Sequence, residues 1–186
     1  GNLAAVQADV LYSAISANRI TISTVTYDLD TRTYYTGSVS EEKASYAYKY
    51  WTDGTAREVK ETTIYDYSAG ALIKTTVYRD DVVMTAVNNV VTELIAAPVK
   101  KTETFYFGSE GSEKADYTLN YKGTTPATNS VKDSSFYFYG TSRKRAFEAG
   151  LSDTDPMDQT ISIVGNLAAV QADVLYSAIS ANFINL

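Results

Sequence analysis

The chain has 186 residues, a formal net charge of -6 and neither cysteine nor histidine. Without cysteine there is no disulfide framework or thiolate metal site, and without histidine the commonest general base is missing, so we expect no enzyme and no cofactor. The acidic balance opposes nucleic-acid binding, which needs clustered Lys and Arg, and no stretch reaches the roughly 20 apolar residues of a membrane span.

The first eighteen residues return unchanged near the end of the chain. Gly1 to Asn18 and Gly165 to Asn182 share the sequence GNLAAVQADVLYSAISAN. Chance does not produce such a run of identities, so the chain contains one full period and the start of the next. Repeats give a protein length and valency, which favours a structural or adhesive role in a tandem array. The pattern predicts a repeat-junction segment over residues 1–18, a repeat body over 19–164 and the next repeat from 165 to 186.

The repeated segment is predicted to be an Ala-rich helix of about four turns, because its apolar residues are spaced three or four apart. Asn2 is placed as an N-cap and Asn18 as a left-handed stop. The apolar face of each copy is predicted to be buried where one repeat meets its neighbour, so the expected partner is the chain itself. The predicted interface residues are Leu3, Val6, Val10, Leu11 and Ile15 in the first copy and Leu167, Val170, Val174, Leu175 and Ile179 in the second.

From Arg19 onward the apolar residues alternate with polar ones, which predicts β-strands. Turn residues at Thr36-Gly37, Asp53-Gly54 and Ser68 to Gly70 separate these strands and predict hairpins. The predicted strands of this part are Ile20 to Leu29, the return at Tyr34-Tyr35, Ala44 to Trp51, Arg57 to Tyr67 and Leu72 to Tyr78.

The segment Val82 to Ile95 fits a helix almost as well as two strands. Its many valines and its near symmetry around Asn88-Asn89 favour a hairpin with a two-residue turn. After Pro98 the sequence predicts the following elements: a hairpin of Val99 to Phe107 and Lys114 to Tyr121, a loop from Lys122 to Lys132, a strand from Phe136 to Tyr139, a helical turn from Arg143 to Ala149, an acidic loop from Leu151 to Met157 and a strand from Gln159 to Val164. The fold class is therefore mainly β, an antiparallel meander of hairpins, sandwich or solenoid-like, with Ala-rich helices at both ends of the repeat.

The stretch from Tyr65 to Tyr78, YDYSAGALIKTTVY, resembles the YD-repeat family, the Rhs-type and wall-associated repeats of bacterial surface and secreted proteins. It has the Tyr-Asp pair, a glycine turn at Gly70 and a following strand. The resemblance implies long arrays of β-hairpins, which are sometimes wound into shells.

Three aspartates, Asp153, Asp155 and Asp158, form a D-x-D-x-x-D cluster that could supply oxygen ligands to calcium. Calcium loops usually add a glycine and a bidentate glutamate at fixed offsets, and neither follows here. A solvated acidic loop is the alternative interpretation.

Aromatic residues are concentrated in one predicted strand. Tyr46, Tyr48 and Tyr50 share one face, and Trp51 lies beside them. Such a row could stack on sugars or on another protein, although aromatic packing within a sheet explains it equally well.

These patterns predict a structural module of a tandem-repeat, exported bacterial protein that assembles a surface layer, stalk or filament. We therefore expect an extracellular or cell-surface location. Two alternatives remain open: an adhesin-type repeat that recognises glycan or protein through tyrosine-rich surfaces, and a filament subunit whose terminal helices are swapped between molecules.

Overall fold

The computed structural model describes residues 15–16, 19–22, 25–52, 57–79, 86–87, 90–91 and 98–177. These residues form β-strands joined by turns and two short 3-10 turns, Pro126–Thr128 and Gln171–Asp173. The strands are β1 Ile15–Ser16, β2 Arg19–Ile22, β3 Val25–Asp28, β4 Thr31–Thr36, β5 Lys43–Thr52, β6 Arg57–Ser68, β7 Ala71–Arg79, β8 Ala86–Val87, β9 Val90–Val91, β10 Lys100–Phe107, β11 Lys114–Lys122, β12 Ser130–Tyr139 and β13 Met157–Val164.

Eight strands form one antiparallel sheet in the order β13-β12-β11-β10-β7-β6-β5-β4. Neighbours in the chain are neighbours in the sheet, because short turns return each strand directly beside the one before it. Only the small β8-β9 pair interrupts this order, after which β10 pairs with β7. A separate sheet has the order β1-β2-β3. The prediction of a mainly β, antiparallel meander is confirmed.

The chain divides into two compact units, and the boundary falls within β6, between Thr63 and Ile64. The described residues up to Thr63 belong to the first unit, together with Arg79, β8 and β9. The second unit contains Ile64 to Tyr78 and the described residues from Pro98 onward. The tyrosine-rich strands β4 and β5 therefore lie in the first unit, and the second copy of the repeated segment lies in the second.

The core of the second unit is built on β12. Phe136 and Phe138 are two residues apart, so they point to the same face of the strand, and both are completely buried. Val174 of the repeated segment completes this cluster. Burying one such side chain contributes about 1.5–3 kcal/mol. The partly buried residues packed against the cluster are Tyr117, Ile161, Ile163, Leu167 and Tyr176.

The prediction of Ala-rich helices at both ends is not borne out: among the described residues of the two copies, only Tyr176 and Ser177 are α-helical. In the second copy a turn, in which the Val170 N–H donates to the Leu167 carbonyl (3.1 Å), leads into the 3-10 turn Gln171–Asp173. In the first copy, Ile15–Ser16 is a strand paired with β2. Isolated helical propensity is weak, so tertiary contacts decide the conformation of such a segment.

The predicted interface residues are only partly described. Of the first copy's set, Ile15 lies in β1, and Leu3, Val6, Val10 and Leu11 lie outside the described residues, as does Ile179 of the second copy.

Two further predictions differ from the structure. The predicted strand Ile20 to Leu29 contains two strands, β2 and β3, which pair with each other. The predicted loop Lys122 to Lys132 ends earlier, since β12 begins at Ser130. The side chain of Asn129 holds that point in place, because it accepts from the Lys100 N–H (3.0 Å) and donates to the Lys100 carbonyl (2.9 Å).

The remaining predicted strands of the body are confirmed to within a few residues. The predicted hairpin around residues 88–89 agrees with the pairing of Ala86 with Val91 and of Val87 with Val90. Among the described residues, no helix has the length and apolar character needed to cross a membrane.

Candidate functional site

Arg145 is the largest completely buried side chain among the described residues, and it is paired with the buried Asp116. The pair is bidentate: Nε donates to one carboxylate oxygen of Asp116 at 2.8 Å, and Nη2 donates to the other at 2.7 Å. The backbone N–H of Ala146 adds a third hydrogen bond to this carboxylate, at 3.2 Å. Planar, bidentate pairing of this kind fixes the direction of the guanidinium.

A β-bulge places Asp116 at this site. On the two sides of the bulge Phe105 pairs with Tyr117 and Tyr106 pairs with Ala115, so that Asp116 is the extra residue on β11. Bulges change the direction of a side chain relative to the regular strand. The sequence pattern gave no sign of this, because a bulge depends on the register of two strands.

A tight turn after β12 places Arg145. Tyr139 and Lys144 exchange both backbone hydrogen bonds, at 2.8 Å and 3.0 Å. The turn between them has positive φ at Gly140 (64°) and at Arg143 (52°). The predicted helical turn over Arg143 to Ala149 is shorter than expected: Arg143 and Lys144 belong to this reversal, and a single turn follows, in which the Glu148 N–H donates to the Arg145 carbonyl (3.1 Å).

The remaining donors of Arg145 bind the second copy of the repeated segment. Nη1 donates to the carbonyl oxygens of Gln171 and Val174, both at 2.9 Å, and Nη2 donates to the Gln171 side-chain oxygen at 3.4 Å. The Gln171 carbonyl also accepts from the Val174 N–H of the 3-10 turn (3.3 Å), so Arg145 binds the segment at the end of this turn. All five N–H donors of the guanidinium are thus used.

Aromatic rings surround the charged group on its other sides. The guanidinium carbon lies 4.7 Å from the ring centre of Phe136, 5.3 Å from that of Phe147 and 5.9 Å from that of Tyr117. Such contacts favour a cation that has been removed from water. We call the set Arg145, Asp116, Phe136, Phe138 and Ser134 the Arg145 site.

Ser134 and Arg143 hold the two ends of the described part of the second copy. The completely buried Ser134 hydroxyl donates to the Gly165 carbonyl (2.9 Å) and accepts from the Leu167 N–H (3.2 Å). Arg143 donates to the Tyr176 hydroxyl (2.6 Å) and lies over its ring. That ring makes an edge contact with Phe138 at 5.5 Å between ring centres.

Burial raises the pKa of the Asp116 carboxyl above its ordinary value, and the hydrogen bonds from Arg145 and from the Ala146 N–H offset only part of this rise. Removing both charges from water is therefore costly, and the geometry recovers the cost only while all partners are present. The pair fixes the position of the segment more than it adds to overall stability.

The structure brings some of the predicted interface residues together and not others. Leu167 and Val174 join the core cluster. Leu175 is half-buried, and Val170 is 41% exposed. Sequence reasoning missed Arg145 and Asp116. The one available signal was the basic run at residues 143–145, which stands out in an acidic chain.

The tyrosine row of β5 packs within its own sheet. Tyr46 stacks on Tyr34 of β4 at 4.5 Å between ring centres, and Tyr48 makes edge contacts with both of these rings. Tyr46 and Tyr50 are buried, and burial raises the pKa of Tyr46. Trp51 is 46% exposed. The stacking agrees with the interpretation of the row as sheet packing.

Two of the three predicted calcium ligands, the carboxylates of Asp155 and Asp158, already have partners, and Asp158 belongs to β13 rather than to the acidic loop. The Lys114 ammonium donates to the carbonyls of Asp153 (2.9 Å) and Asp155 (2.7 Å), so a positive charge lies against the loop. An Asp155 carboxylate oxygen accepts from the Ser152 N–H, and Asp158 is paired with Arg143 at 2.6 Å. Within the described parts of the chain no group of three carboxylates is arranged to hold a metal ion. The calcium site stays a prediction.

The Arg145 site can hold a peptide segment. Arg145 binds main-chain carbonyls of the segment, the phenylalanine cluster packs against an apolar side chain, and Ser134 binds the main chain where the segment begins. No protein-family model, curated protein or solved structure matches this chain. The function is therefore inferred from the contacts of the Arg145 site.

Proposed function

We propose that the chain is a structural module of a tandem-repeat protein, in which the Arg145 site of each repeat holds the start of the next repeat. One observation carries this proposal: Arg145 divides its donors between Asp116 of the repeat body and the residues Gln171 and Val174 of the following copy. Two successive periods thus share a single buried ion.

A buried ion that is shared by two repeats holds them together at a joint, because separating them would leave the ion without partners. A guanidinium left without partners in the interior costs several kcal/mol, so opening the joint by stages is unfavourable. In repeat proteins such nearest-neighbour contacts add to the stability of each unit and make neighbouring units unfold together. A long array joined in this way gains stiffness from every added copy.

The proposed setting is a surface layer, stalk or filament of an exported bacterial protein. The resemblance of Tyr65 to Tyr78 to YD repeats, which occur in bacterial surface and secreted proteins, supports this setting. In the structure this stretch spans the turn between β6 and β7, where Asp66 and Lys74 form an ion pair at 3.0 Å.

A chain of two periods, residues 1–164 followed by 1–186, tests the proposal. We expect it to unfold in one thermal transition. Replacing Val10 of its second period by Asp places a carboxylate in the internal joint, and we expect two separate transitions. The same Val10→Asp change in the first period is the matched control, which should leave the single transition intact. If both variants unfold like the parent, the joint does not exist.

An adhesin-type repeat is the second candidate, and the exposure of Trp51 favours it. Because the chain has one tryptophan, its fluorescence reports on this position alone. Titration with polysaccharides should change the emission in a saturable way if β5 binds sugars. An unchanged emission would remove this candidate.

A further inference from the structure

We propose that the Arg145 site also accepts the repeated segment from a second copy of this chain, so that the first copy of the segment in one molecule binds where residues 165–177 of another are now seated. This inference rests on the proposed function and adds a partner to it. The joint within an array would then also serve as a joint between molecules.

The two copies of the repeated segment are identical in sequence. Among the described residues, the contacts of the Arg145 site and Arg143 with the second copy fall in one short, continuous stretch, from Gly165 to Tyr176. Every residue in that stretch has an identical counterpart in the first copy, so residues 1–18 can make the same contacts. The counterparts of Gly165, Leu167, Gln171, Val174 and Tyr176 are Gly1, Leu3, Gln7, Val10 and Tyr12.

The contacts themselves select for this segment. Arg145 requires two main-chain carbonyls three residues apart and a side-chain amide at the first of them. The cluster of Phe136 and Phe138 requires an apolar side chain at the second. Arg143 requires a hydroxyl two residues later, which Tyr176 supplies.

The covalent connection between the second copy and β13 decides which copy occupies the site. The second copy follows β13 directly in the chain, so its effective concentration at the site is on the order of millimolar. A segment from another molecule therefore enters only when the resident copy is displaced. The resulting contact is head-to-tail, and contacts of this kind build open filaments or rings.

The test uses the full chain with both of its own copies disabled, the variant Val10→Asp/Val174→Asp. The probe is a labelled synthetic peptide with the sequence of residues 1–18, and its binding is followed by fluorescence anisotropy. We expect saturable binding with one peptide per chain. The control peptide, which carries Val10→Asp, should bind at least about tenfold more weakly, because it would bury a carboxylate beside the two phenylalanines. The wild-type chain, whose site is occupied, should bind the probe at least about tenfold more weakly than the double variant.

The milder variant Val10→Ala/Val174→Ala is used in case the Asp variant does not fold. We expect it to bind the residue 1–18 peptide more tightly than the Val10→Asp peptide, as the Asp variant does. Circular dichroism first confirms that the sheet is retained. Absence of saturable binding to a folded variant, or equal binding of the two peptides, overturns the inference. Failure of the proposed function has a different signature, because the two-period chain would then show no response to a substitution in its internal joint.

Discussion

Two Arg-Asp pairs differ both in burial and in the number of hydrogen bonds, and these differences decide what each pair contributes to stability. The pair of Arg145 and Asp116 is excluded from water, whereas the side chains of Arg143 and Asp158 are 42% and 38% exposed. We expect Asp116→Ala to lower the free energy of unfolding by about 3–5 kcal/mol, because it leaves a buried guanidinium without its counter-ion. Asp158→Ala should cost much less, because water screens the attraction between two exposed side chains. Urea unfolding of the two variants measures both values, and equal losses would contradict the assignment.

Buried tyrosines should make the protein sensitive to alkali. Burial raises the pKa of Tyr139 from 10.0 to about 12. Its contribution to stability is complete below pH 10, where the phenol is protonated in both states, and is lost as the pH rises towards 12. The expected slope is about 1.4 kcal/mol per pH unit over this window.

The melting temperature as a function of pH, recorded together with tyrosinate absorbance, measures this effect. Tyr139→Phe is the control, since it removes the titrating group. This variant should lose about 1 kcal/mol at neutral pH, because the Ala115 carbonyl loses its donor at 2.6 Å, and its stability should fall less steeply above pH 10. A slope equal to that of the wild type would contradict the role given to Tyr139.

At the scale of elements, the turn between β10 and β11 contains two glycines with different surroundings. A Cβ on Gly108 would lie 2.8 Å from the Ser112 carbonyl oxygen, whereas one on Gly111 would meet nothing within 4 Å. Both have positive φ, 132° and 81°. We expect Gly111→Ala to cost about 1–2 kcal/mol from backbone strain alone. Gly108→Ala should cost clearly more, because the clash with fixed backbone is added. Thermal melts of the two variants check this order.

The alternation of residues and the turn residues between them predicted β5, β6 and β7 well, because each of these strands lies beside its neighbour in the chain, so local signals are enough. Spacing alone predicted the repeated segment wrongly: it is helical in pattern, but the segment forms turns that are held by Ser134 and Arg145. The spacing of residues within a segment indicates which structure the segment favours in isolation. It cannot include a guanidinium that arrives from elsewhere in the chain.

The candidate site was predictable only in part. Exact repetition pointed to the right segment, and apolar spacing identified Leu167 and Val174. The receiving surface was not predictable, because Asp116 owes its direction to a bulge and Arg145 to a reversed turn. Both depend on pairing between strands.

At the scale of the whole molecule, the exchange of segments predicts that molecules associate once the resident second copy is displaced from the Arg145 site. The single variant Val174→Asp displaces the resident copy and leaves the first copy intact. We expect its mass in light scattering to rise with concentration, while the Val10→Asp/Val174→Asp chain stays monomeric. A Val174→Asp chain that is monomeric at every concentration would show that molecules do not exchange segments.

The use of main-chain carbonyls by Arg145 has a consequence for how such a protein can vary. Every amino acid carries a carbonyl, so exposed positions of the segment, such as Val170 and Ala172, are free to change identity. The spacing between Gln171 and Val174 has no such freedom. A single inserted or deleted residue there would carry one carbonyl out of reach of the guanidinium. Substitutions at exposed positions of the segment are therefore tolerated, whereas insertions and deletions between these two residues are not.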